Sequence, residues 1–125
     1  MTQKRILLID DDPDFSLAHR LVLESAGYVV DEAANGREGL AKMRDNRPDL
    51  ILMDVMMTSP LEGYYITQQI SDDSALCRIP ILMVSAIATT QYAQAFPTDR
   101  YLDVREFISK PIEPKKLLEK VKHYL

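Results

Sequence analysis

Five residues of types that do chemistry together each stand just past a short apolar run. Asp10 and Asp11 follow Ile6-Leu7-Leu8-Ile9, Asp54 follows Leu50-Ile51-Leu52-Met53, Ser85 follows Ile81-Leu82-Met83-Val84, and Lys110 follows Phe107-Ile108-Ser109. If these runs are neighbouring parallel strands, their ends converge, and the crevice outside the carboxyl ends of an open α/β sheet is where ligands bind. Three carboxylates, a hydroxyl and an ammonium would then share one pocket. Clustered carboxylates repel unless a cation neutralises them, and a hard ion such as Mg²⁺ suits one or two carboxylates plus phosphate oxygens. The set is therefore suited to a divalent cation and a phosphoryl group.

The elements that must position these residues are legible as apolar runs alternating with longer amphipathic segments, with Gly or Pro at most joins. This is the βα repeat of a parallel sheet. Ile6 to Ile9 has no polar interruption, as expected of a strand covered on both faces. Asp12 and Pro13 supply a helix cap and a first-turn proline, and Phe15, Ala18, Val22 and Ala26 recur at helical spacing up to Gly27. A second strand is expected over Tyr28 to Glu32, then a helix over about Gly36 to Asn46 with Leu40 and Met43 on one face. The third strand is Leu50 to Met53, and a third helix from about Glu62 to Ser71 is carried by Tyr65, Ile66 and Ile70. Ile79 and Pro80 lead into the fourth strand. From Ile87 to Asp103 the pattern weakens, because Pro97 interrupts it; a short helix at Thr90 to Ala95 followed by irregular chain is expected. Glu106 to Ser109 reads as the fifth strand, and Pro114 opens a last helix whose Leu117, Leu118 and Val121 face the sheet.

With 125 residues, 46% of them hydrophobic, the chain fits a single domain over 1–125 and leaves no room for a second. A net charge of -4 argues against a nucleic-acid surface, and Lys4-Arg5 and Lys115-Lys116 read as solvated pairs. Cys77 is the single cysteine, so no internal disulfide forms; it reads as a packing residue or a bystander and favours a reducing compartment. No stretch approaches the ~20 apolar residues of a membrane span, and no signal-peptide segment precedes the first strand. A cytoplasmic location is expected. The chain shows no repeat, low-complexity tract or linker.

The acidic pair in Leu8-Ile9-Asp10-Asp11-Asp12, the Asp54 of Leu52-Met53-Asp54, Ser85-Ala86 and Ser109-Lys110-Pro111 resemble, in this order, the receiver domain of two-component response regulators. The resemblance spans essentially the whole chain. It implies a flavodoxin-like five-stranded parallel sheet in the order 2-1-3-4-5 with helices on both faces. It also implies that Asp54 accepts a phosphoryl group from a sensor histidine kinase or a histidine phosphotransfer protein. Asp11 would be a direct Mg²⁺ ligand, Asp10 would contribute through water or as an acid/base-side neighbour, and Asp54 and the Met56 carbonyl would complete the metal set. Lys110 would pair with a phosphate oxygen and Ser85 would donate its hydroxyl to another. The family signals by binding a downstream protein, as a monomer or weak dimer, and is not an enzyme acting on a separate substrate. The last helix reaches Leu125, so no output domain is expected.

Each position also has a plainer reading. Asp12 is the natural helix cap, Asp54 alone could be a loop carboxylate, Ser85 a turn serine and Lys110 a solvent-facing cation. Met53, Met56, Met57 and Met83 read as core and loop packing, and His19 and His123 as surface or boundary residues away from the pocket. Phe107 stands where the family places a switching aromatic, and a plain core reading of it stands beside that one. Two alternatives to a phosphoacceptor remain: a haloacid-dehalogenase-type phosphatase, for which Asp10-Asp11-Asp12 contains an Asp-x-Asp pattern, and a receiver-like module that never takes phosphate. Two features depart from the family. Pro60 and Gly63 lie six and nine positions past Asp54, where four and eight are usual, and the Ile87 to Asp103 stretch is irregular.

Met56 and Ile87, each two positions past a site residue, are apolar and would shield an acyl phosphate from water. Replacing both, Met56→Asn with Ile87→Glu, is expected to speed loss of the phosphoryl group. Decay at the wild-type rate in a phosphate-release assay would remove this idea.

Overall fold

The computed structural model describes residues 3–54, 60–85, 104–109 and 112–125, and describes the backbone alone at 54, 60–64, 67, 85, 104–107 and 109. Strands β1 (Arg5–Ile9), β2 (Val29–Ala33), β3 (Leu50–Asp54), β4 (Ile81–Ser85) and β5 (Val104–Ser109) form one parallel sheet in the order β2-β1-β3-β4-β5. Helices α1 (Pro13–Ser25), α2 (Gly36–Asp45), α3 (Pro60–Ser71) and α4 (Pro114–Tyr124) complete the described elements.

The strand runs are uninterrupted because both faces are covered. Leu7, Ile9, Ile51, Met53, Ile81 and Met83 pack with Met43 of α2 and Ile66 and Ile70 of α3. Their alternate neighbours Ile6, Leu8, Leu50, Leu52, Leu82 and Val84 pack with Leu23 of α1 and Leu117 and Val121 of α4. Period-two alternation thus feeds two cores from one sheet. Each fully buried aliphatic side chain contributes roughly 1.5–3 kcal/mol. Among the described residues no helix is long and apolar enough to cross a membrane.

Several expectations shift by a residue or a face. β2 starts at Val29 rather than Tyr28, because Gly27 takes a positive φ of 96° and the Tyr28 N–H still donates to Leu23 of the helix. Asp54 ends β3 instead of following it, paired in register with Val84. α3 starts at Pro60, two residues early, with proline at a first-turn position that needs no N–H. On α1 the inward line is Ser16 and Leu23, while Ala18 and Ala26 are exposed. Leu17 and Leu21 also face outward, at 52% and 59% exposure. On α3, Ile66 and Ile70 are buried as expected but Tyr65 points out. Arg5, expected to be solvated, is half-buried, and its guanidinium donates to Asp31 at 2.7 Å. The helix expected at Thr90 to Ala95 lies outside the described residues.

One close approach fixes α2 against β1. A Cβ added at Gly39 would meet Ile9 Cδ1 at 2.6 Å and Cγ1 at 3.0 Å, and Ile9 is fully buried. Overpacking of this kind costs about 1–3 kcal/mol, against a gain of about 1 kcal/mol in helix propensity. Gly39→Ala is therefore expected to be net destabilising by about 1 kcal/mol in urea denaturation, and Ile9→Val, which removes Cδ1, to cost less in the Gly39→Ala background than in the wild type.

Candidate functional site

Only three residues, Asp10 to Asp12, join β1 to α1, and local hydrogen bonding gives each a different environment. The Asp10 N–H donates to the Ala33 carbonyl at 3.0 Å, which carries the β1–β2 pairing one step past the strand and leaves the residue half-buried at the rim. Its Oδ1 accepts the Asp12 N–H at 2.9 Å. Asp12 caps α1: its Oδ1 accepts the N–H groups of Asp14 at 3.0 Å and Phe15 at 3.3 Å. Asp11 is exposed, and among the described residues no ion pair involves it.

The register aligns the other strand ends with this turn. Ile9 pairs with Met53, so Asp10 and Asp54 are the next residues on adjacent strands. Asp54 in turn pairs with Val84, one residue before Ser85, and Ser85 pairs with Ser109. Four strand ends thus bring the backbones of Asp10, Asp54, Ser85 and Ser109 to one edge of the sheet. Met56 and Lys110 lie outside the described residues, as do Ile87 and Pro111.

A cleft of about 330 Å³ opens beside the acidic turn, lined by Asp10, Asp11, Pro13, Ser16, Glu32, Ala33, Ala34 and Glu38. Two of its carboxylates, Glu32 and Glu38, are already paired. Arg20 donates to Glu32 at 2.8 Å and contacts Glu24 at 3.2 Å, and these two hydrogen bonds hold its guanidinium above the usual arginine range. Lys42 lies 3.3 Å from Glu38 and also donates to the Glu32 carbonyl. Ser16 lines the inner wall at 5% exposure, and its hydroxyl has no hydrogen-bond partner among the described residues.

Behind this wall a second, much smaller recess is lined by Asp10, Phe15, Ser16, His19, Leu52, Met53 and Val84 among others. His19, expected as a surface or boundary residue away from the pocket, is half-buried but lines this recess and meets Phe15 edge-on with ring centroids 4.0 Å apart. Ser16 and His19 were the residues missed by sequence reasoning. The available signal was their spacing with Leu23 along one helical face, obscured because neither is apolar.

Among the described residues no three His, Cys, Asp or Glu side chains form a ready metal cage. Mg²⁺ does not require one, since it keeps several waters and binds through one or two carboxylates. Among the described residues, an Asp11 carboxylate without an ion pair, a half-buried Asp10 and a buried Ser16 hydroxyl without a hydrogen-bond partner fit a hydrated hard cation. Such an ion's water could satisfy the hydroxyl, which otherwise loses hydrogen bonding on burial.

Residues 6–122 match the family described as the response regulator receiver domain. The DNA-binding dual master transcriptional regulator RpaA of Synechocystis is 34% identical over 97% of this chain, which spans only 48% of that relative. The polar-differentiation response regulator DivK of Brucella anthropi is 32% identical, with 98% of this chain and 96% of the relative covered. Among solved structures, the response regulator TrrA of Thermotoga maritima in complex with Mg²⁺ and BeF superposes with a TM-score of 0.81 at 28% identity. That match covers 98% of this chain and all of the other.

The capping role of Asp12 is separable from any chemistry at the rim. Asp12→Ala is expected to destabilise the protein by about 1 kcal/mol, whereas Asp12→Asn, which keeps an accepting oxygen, stays close to wild type. Urea unfolding followed by circular dichroism reads both. An equal loss in the two variants would show that charge, not the cap, is what Asp12 contributes.

Proposed function

We propose, because this chain belongs to the response regulator receiver domain family, that Asp54 is its phosphoacceptor in a two-component phosphorelay. A carboxylate oxygen of Asp54 attacks the phosphorus of a phosphohistidine on a sensor histidine kinase or a histidine phosphotransfer protein. The P–N bond breaks, an acyl phosphate forms, and the imidazole leaves. Asp10, Asp11, Asp54 and the Met56 carbonyl would hold Mg²⁺, which supplies neutralising charge to the phosphoryl oxygens. Lys110 pairs with one of those oxygens as a point charge, and Ser85 donates its hydroxyl to another.

The observation that carries this reading is the register, which sets Asp54 one strand away from Asp10 at the same edge. Supporting it, a receiver of similar fold was solved with Mg²⁺ and BeF. The domain acts as a signalling protein; its own phosphorylation and dephosphorylation are the only chemistry proposed for it. Its output is a protein–protein contact with a downstream target. A cytoplasmic location is supported by the single cysteine and by the histidine-kinase partner. The dehalogenase-type reading needs the second acid of the Asp-x-Asp pattern for catalysis, and the Asp12 carboxylate is engaged in capping α1.

Intact-mass spectrometry after incubation with acetyl phosphate and Mg²⁺ tests the proposal. One phosphoryl adduct is expected in wild type and Asp10→Ala is expected to reduce it, while Asp54→Ala or chelation of Mg²⁺ abolishes it. An adduct that survives Asp54→Ala would move the acceptor elsewhere. No adduct in wild type, with beryllofluoride also failing to bind, would favour a phosphate-independent module.

A further inference from the structure

We infer that Ser16 is a positioning residue for the Mg²⁺ site: its buried hydroxyl holds one water molecule in the recess behind the acidic turn, and that water orients the Asp10 carboxylate. The inference rests on the reading of Asp10 and Asp11 as the Mg²⁺ site.

Ser16 is 5% exposed and is the one buried polar side chain among the residues whose side chains are described. Serine inside a helix commonly turns its hydroxyl back onto the carbonyl four residues earlier. Here that carbonyl, of Asp12, accepts the Ser16 N–H at 3.0 Å, and the hydroxyl makes no hydrogen bond among the described residues. A hydroxyl buried in this way costs folding free energy, and alanine is the better helix former. Serine is thus the less stable choice at this position unless something other than the fold's own groups engages it.

Its place in the molecule points to what does. Ser16 and Asp10 are the two residues that line both the cleft of about 330 Å³ and the recess of about 10 Å³ behind it. A volume of about 10 Å³ is at the lower limit for one water, which also needs two to four polar partners. The recess offers three polar side chains, Asp10, Ser16 and His19, in a wall otherwise built from residues such as Leu8, Leu52 and Val84. The Ser16 O–H donates to the water, the water donates to an oxygen of Asp10, and a ring nitrogen of His19 completes its set. The Asp10 carboxylate also accepts the Asp12 N–H at 2.9 Å, so it is tied to the turn and to α1 at once. Groups that orient a metal ligand in this manner typically change metal affinity by about tenfold to a hundredfold.

The test is an MgCl₂ titration of the full chain, followed by NMR at the Asp11 amide, for wild type, Ser16→Ala, Ser16→Thr, Asp10→Ala and Ser16→Ala/Asp10→Ala, with urea unfolding of each in chelator. Ser16→Ala is expected to bind Mg²⁺ about tenfold more weakly, while its urea midpoint stays at or above the wild-type value. Ser16→Thr, which keeps the hydroxyl, recovers most of the affinity. In the Asp10→Ala background, removing the hydroxyl changes Mg²⁺ binding no further, because its route to the ion is gone. That double variant decides the question where the threonine methyl lowers the urea midpoint. Wild-type affinity in Ser16→Ala, or a full effect of Ser16→Ala persisting without the Asp10 carboxylate, overturns the inference and leaves the Mg²⁺ reading intact. Loss of stability together with affinity in Ser16→Ala assigns Ser16 a packing role and overturns it as well. Failure of the wild type to bind Mg²⁺ at this turn overturns both.

Discussion

The parallel pairing of β1 on both of its edges is the constraint from which the rest of this molecule follows. Ile6 to Ile9 are at most 3% exposed and are hydrogen-bonded to β2 on one side and β3 on the other. Their alternation is locked to two different cores, one against α2 and α3 and the other against α1 and α4. A slip of one residue would exchange the two faces, so the register is strongly specified. Once it is fixed, the first polar residue past each apolar run has only one place to emerge. The acidic rim is thus a consequence of the core.

The short connection to α1 then turns three chemically identical side chains into three different ones. Asp12 spends its carboxylate on the orphan N–H groups of the first helical turn. Asp10 commits one oxygen to the Asp12 amide while its own amide is held by β2. Asp11 alone is left pointing outward without an ion pair among the described residues. Acid identity at this turn is therefore set by backbone hydrogen bonds, and a sequence pattern of three aspartates does not by itself distinguish the roles.

The strands were readable because β-branched and aliphatic runs of four residues between Gly and Pro leave few other assignments, and the Asp12-Pro13 start of α1 has a strong local mechanism. The facing of α1 was readable only in part: Phe15 packs against the core as its spacing suggested, while Ala18 and Ala26 are exposed. Its inward line passes through Ser16 and half-buried His19 and Arg20, so apolar spacing pointed instead to Ala18 and Ala26. The same cause hid the cleft wall. Glu32 and Arg20 are twelve residues apart and meet only after β2 has paired with β1 and α1 has folded back across them, a tertiary relation that no local period encodes. Asp10, Asp54 and Ser85 were legible as strand ends, and their common edge follows from the register. Met56 and Lys110 lie outside the described residues, and their roles rest on the family resemblance.

The sorting of charge around the cleft bears on how a receiver can act as a switch. A ligand shifts a conformational equilibrium only by the difference in its affinity for the two states. A rim whose carboxylates were all neutralised internally would have little differential affinity to offer a cation or a phosphoryl group. A rim with every carboxylate bare would repel a dianionic phosphoryl group and bind many cations indiscriminately. The arrangement here lies between these limits: Glu32 and Glu38 are matched to Arg20 and Lys42, while the exposed Asp11 has no ion pair among the described residues. Binding free energy is thereby concentrated on the few groups nearest the proposed acceptor, where a change in charge can be felt by the strand ends that define both cores.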